Sequence, residues 1–178
     1  MATPPVFTTG AVLTAAQMNA VGMWEISTTT PSSNQGAFTI NNAFSSDYDS
    51  YRLIWSGGVG VGAGSISVTL GASVAGYGWS LPYVVYGSGT PGGTSVGPNA
   101  SSFVLCGTFT TAYGNFDMTL VDPFKAKYTR INGTYASLSE AGMYAGLHAV
   151  ATSYTSITIT PVTANINGGV FTLYGIRT

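Results

Sequence analysis

Ser65-Ile66-Ser67-Val68-Thr69-Leu70 puts an apolar side chain at every second position and a hydroxyl or small polar group between. Phe116-Asp117-Met118-Thr119-Leu120 and Thr155-Ser156-Ile157-Thr158-Ile159-Thr160 do the same. Alternation at period two buries one face of an extended strand and leaves the other to solvent, whereas a helix needs apolar positions three and four apart. From Met23 onward the same rhythm predicts further strands at 23–28, 37–40, 51–56, 83–86, 103–109, 127–131, 134–138, 143–151 and 170–176. Asn132-Gly133 reads as a two-residue hairpin turn between two of them. Glycine-rich stretches at 57–64 and 87–98 read as surface loops. Short strands with turn signals every 8 to 12 residues or so predict an all-β domain, a β-sandwich or jelly roll.

Charge is nearly absent. Of 178 residues, five are Lys or Arg and six are Asp or Glu, for a net charge of −1. Soluble domains ordinarily carry about 25% charged residues. This excludes coiled coils, basic nucleic-acid binders and charged disordered tails. With no run of about 18 apolar residues, a membrane-spanning helix is excluded as well. Copies of such a chain repel one another weakly, which suits a protein docked in a fixed assembly. So few basic residues also give trypsin-like proteases few cleavage points, as befits an extracellular particle. Cys106 is the one cysteine, so no intrachain disulfide forms, and its place in Ser102-Phe103-Val104-Leu105-Cys106 predicts a buried, inert thiol. Met1-Ala2-Thr3-Pro4-Pro5 has neither a basic n-region nor an apolar h-region, so synthesis in a cytoplasm is expected.

Residues 1–22 differ from the sandwich expected over 23–178. Pro4, Pro5 and Phe7-Thr8-Thr9-Gly10 read as an extended arm. Residues 13–22 then read as a short helix, with Thr14 and Gln17 as a capping box and Gly22 closing it. Leu13, Met18 and Val21 form its apolar stripe. Two turns of helix do not persist alone in water, so the arm must pack on its own domain, sister chains or another protein.

Signatures of chemistry are weak. Gly93-Thr94-Ser95-Val96-Gly97 matches a nucleophile elbow, and Asp117, Asp122 or Glu140 followed by His148 completes the chain order of a hydrolase triad. The elbow needs a strand before it and a helix after it, whereas Pro91-Gly92 and Pro98 flank this one, so no catalytic activity is expected. His148 is the lone histidine and reads as a strand residue rather than a metal ligand. Asp47-Tyr48-Asp49 offers two carboxylates to a calcium ion but reads first as a turn. The run from Gly57 to Gly64 fits no phosphate-loop pattern. No cofactor is implied. Tyr77, Trp79, Tyr83 and Tyr86 form an aromatic cluster of the kind that stacks on a saccharide, although alternation would equally turn such rings into a core or a subunit interface. Lys125, Lys127 and Arg130 read as a solvated strand edge that deters aggregation, or as a hold for an anionic polymer.

The segment Phe7-Thr8-Thr9-Gly10-Ala11-Val12-Leu13-Thr14-Ala15-Ala16-Gln17-Met18-Asn19 resembles the start of tail-fibre and minor tail proteins of tailed bacteriophages. Phe44-Ser45-Ser46-Asp47-Tyr48-Asp49-Ser50-Tyr51-Arg52-Leu53 is similar to a strand of phage β-sandwich adhesins, and Gly169-Val170-Phe171-Thr172-Leu173-Tyr174-Gly175-Ile176 to their last strand. The resemblance implies a virion structural protein without catalytic residues, a homotrimer with sister-chain contacts. It implies docking on other virion proteins through Phe7, Leu13, Met18 and Val21, and an outward β domain that meets host-surface glycan. A capsid-decorating or head-fibre protein of the same fold, and a freestanding carbohydrate-binding module, are the alternatives. Neither nucleic acid nor membrane insertion enters any of these readings.

Overall fold

A computed structural model describes Gly10, Val12, residues 22–138 and residues 140–176. The arm, its capping box and Phe7, Leu13, Met18 and Val21 lie outside the described residues. The rest is all-β. The strands are β1 (Met23–Thr29), β2 (Phe38–Ile40), β3 (Ser50–Gly58), β4 (Gly64–Leu70), β5 (Tyr77–Val85) and β6 (Pro91–Ala100), followed by β7 (Phe103–Phe109), β8 (Gly114–Val121), β9 (Thr129–Ala136), β10 (Glu140–His148), β11 (Ile157–Val162) and β12 (Val170–Ile176).

Every strand pair is antiparallel, and two layers result. One runs β1-β12-β3-β8-β9-β10-β5-β6 and the other β2-β11-β4-β7. They meet at β8, whose first residues pair with β7 and whose remaining length pairs with β9 along the same edge. Aromatic side chains close the space between the layers. Trp55 of β3 meets Phe109 of β7 edge-on, Tyr77 of β5 meets Phe103 of β7, and Phe38 of β2 meets Phe171 of β12. The layers therefore form a β-sandwich, with inward residues alternating along each strand as expected of this packing.

The expected strands are present, but three local readings change. The stretch 87–98, read as a loop, is largely β6, paired along Tyr77–Val85. The strand expected at 83–86 begins six residues earlier, at Tyr77. Asn132-Gly133 is not a hairpin: β9 runs straight through it, paired with β8 on one side and β10 on the other. Gly133 is needed there for space. A Cβ would lie 2.1 Å from the Asp117 carbonyl oxygen and 2.2 Å from the Tyr144 hydroxyl. Through that gap Tyr144 donates a hydrogen bond of 2.7 Å to the Asp117 carbonyl. The glycine run at 57–64 has a related cause. Gly58 lies against the Trp55 ring, and Gly60 and Gly64 against Phe109, so side chains there would collide with the core.

Candidate functional site

The inward face of the larger layer is spent on the core; its outward face carries the site. Register places Tyr174, Arg52, Thr119, Asn132, Ala145, Ser80 and Ser95 side by side on seven adjacent strands. One pleat further along lie Ile54, Asp117, Thr134 and Met143. Because Ala145 and Ser80 are short while Met143 and Pro82 stand beside them, the face is hollowed. The result is a groove of about 650 Å³ lined by Arg52, Thr119, Asn132, Ala145 and Ser80 of the first row and Asp117, Thr134 and Met143 of the second, together with Met23 and Ile176.

Its floor is a bidentate ion pair. Arg52 donates from Nε to Asp117 Oδ1 at 3.0 Å and from Nη2 to Asp117 Oδ2 at 2.8 Å. Each side chain is about two-fifths exposed (40% and 38%), so the pair faces the groove rather than the core. Hydrogen bonds to Asp117 push the arginine further above its ordinary value, and it stays charged. A guanidinium has five N–H groups, and the pair uses two. The remaining donors, the second lone pairs of Asp117, the amide of Asn132 and the hydroxyls of Thr119, Thr134 and Ser80 supply alternating donors and acceptors along a surface with no net charge.

The residues singled out in the sequence fall elsewhere. Tyr77 and Trp79 are inside the sandwich, 0% and 7% exposed, and Tyr83 packs half-buried against the core, so these rings do not form a stacking platform. Tyr86 is exposed. Their alternation was legible; what decided the direction is pairing with β10, which sets Tyr77 beside His148 and Trp79 beside Gly146 on the inner face. Ser95 is exposed in mid-strand opposite Ser80, on the outer face. His148 is fully buried on the inner face, so the elbow and the histidine lie on opposite sides of the sheet. His148 Nε2 instead shares hydrogen bonds with Ser73 Oγ (2.9 Å) and Tyr154 OH (3.0 Å), its ring lying between Tyr77 and Tyr154. Burial lowers its pKa, with the Gly76 carbonyl pulling weakly the other way.

Asp47 closes a turn with Ser45, as expected. Asp49 and Asp122 both bind Lys125 Nζ, at 2.6 and 2.8 Å. No cluster of three or more His, Cys, Asp or Glu suited to a metal occurs among the described residues. Burial pushes the Cys106 thiol well up, and the side chain is inaccessible.

Compared with known proteins, the chain matches no family model, no curated protein and no solved structure. The groove residues themselves were only half visible in the sequence. Arg52 and Asp117 stand in mid-strand at positions where period two predicts solvent, and two of eleven charges placed there are the available signal. Asn132 was hidden by its reading as a turn.

Proposed function

We propose that this protein is a structural component of a tailed-phage virion, of tail or fibre type. Residues 1–22 attach it to the particle, and the sandwich faces outward to meet the host surface. The observation that carries this reading is how the chain divides its labour. Among the described residues the buried core runs from Ile40 to Leu173, within the span expected of the sandwich. The leading segment is the part whose sequence resembles the start of fibre and minor tail proteins. β1, which follows this segment in the chain, is an edge strand paired with β12, and an attachment made from the sandwich rim is in keeping with that. Scarce charge fits a chain held among its own copies, and a homotrimer is the assembly proposed.

Deletion of residues 1–22 tests this. The truncated chain is expected to unfold cooperatively with a β-rich circular dichroism spectrum, yet to be missing from purified virions. Incorporation at the wild-type copy number would refute the attachment role. Light scattering on the whole chain is expected to give three times the chain mass. A monomer that binds sugar unaided would favour the freestanding module. Labelled copies on the head rather than the tail would favour capsid decoration.

A further inference from the structure

We propose that the groove over Arg52 and Asp117 is a binding site for a neutral oligosaccharide. The proposal deepens the host-surface part of the preceding reading and names its site.

The groove's size lies within the roughly 300–1,000 Å³ typical of ligand sites, and it is concave, whereas subunit contacts are broad. Its chemistry narrows the ligand. A phosphate or a carboxylated sugar needs uncompensated positive charge, but Arg52 is neutralised by both Asp117 oxygens. An apolar ligand would strand the ion pair and the hydroxyl row without water or a partner. A neutral polyol satisfies all of them. One hydroxyl of a vicinal diol donates to Asp117 while its neighbour accepts from the guanidinium, and the Asn132 amide repeats the same pairing one strand pair away. The C–H faces of the sugar rings lie on Met143, Pro82 and Met23, which form the apolar walls. With Met143 61% exposed and Met23 44% exposed, covering these side chains also removes apolar area from water. A second copy of the chain fits less well, because the centre of a protein interface is depleted of charge while the centre of this groove is an ion pair. Single sites without a stacking ring bind weakly. Several copies on one particle raise avidity by about 10² to 10⁴.

The test is a nuclear magnetic resonance titration of the full-length chain with neutral tetrasaccharides of glucose, mannose, galactose and N-acetylglucosamine, beside an anionic galacturonate tetramer. At least one neutral sugar is expected to shift the Arg52 Nε–H, the Asn132 side-chain amide and the Met143 methyl together, and the anionic one is not. Asn132→Ala and the double variant Arg52→Gln with Asp117→Asn are expected to weaken binding tenfold or more while their melting temperatures stay near wild type. No shift with any neutral sugar overturns the proposal. So does a shift that both variants leave intact, or one confined to the anionic tetramer. If Met143→Glu instead turns an oligomer into a monomer by light scattering, the face is a subunit contact and the proposal falls. None of these readouts involves particle incorporation, so this site and the attachment role of residues 1–22 stand or fall separately.

Discussion

The two faces of the larger layer are written on the same strands and use different alphabets. Inward, β3, β5, β8, β10 and β12 present Trp55, Tyr77, Phe116, Tyr144 and Phe171, with glycines wherever a ring needs room. Outward, the neighbouring positions present Arg52, Ser80, Asp117, Ala145 and Thr172, short or polar and partly exposed. The inner face obtains its stability from shape, and one methyl group in the wrong place is felt across the layer. The outer face has no such constraint, so its composition is free to follow a ligand. Position by position, then, core packing and outward exposure separate by one residue along each strand.

Substitutions break that comparison in a graded way. Trp55→Ala removes a ring stacked 5.0 Å from Phe171 and should cost about 3–5 kcal/mol in urea unfolding. Gly133→Ala drives a Cβ into backbone that cannot yield and evicts the Tyr144 hydroxyl. A loss of about 2–3 kcal/mol is expected, whereas Asn132→Ala, one residue earlier and on the other face, should change stability by less than about 0.5 kcal/mol. Equal effects for the two would erase the distinction between faces.

His148 sharpens it by pH. Its unfolded-state pKa is near 6.5, and its folded-state value is lower. Below 6.5 the unfolded chain takes up a proton that the native one refuses. The stability from neutral His148 is therefore complete above that pH and declines as pH falls, by at most about 1.4 kcal/mol per unit, until the folded group protonates too. Melting temperatures from pH 7 to 5.5 should show the decline in wild type and less of it in His148→Gln. The smallest stability effect belongs to the groove. Arg52→Gln should cost under about 1 kcal/mol, since the pair is two-fifths exposed and solvent screens it, and added salt should shrink the difference further.

Much of the fold was legible because period two survives any change of partner. Ser65 to Leu70, Phe116 to Leu120 and Ile157 to Thr160 alternate in the sequence and in the sandwich alike. Two of the misreadings involve glycine. Gly133 and the glycines of 87–98 look like turns because a chain reading sees only conformational freedom, while in the sandwich Gly133 and Gly92 leave room for Tyr144 and Tyr83. Tyr77 and Trp79 were offered as ligand-facing rings for a similar reason. Alternation says that they share a face but not which one.

The amino-acid order alone determined a nearly uncharged all-β chain, because apolar spacing and the number of ionic groups are properties of the chain with no partner needed. Only the tertiary structure decided which alternate set turns inward, that Asn132-Gly133 passes through a strand, and that Arg52 and Asp117, 65 positions apart, share one floor. Those outcomes depend on strand register, and register is set by what packs across the layer rather than by what is adjacent along the chain.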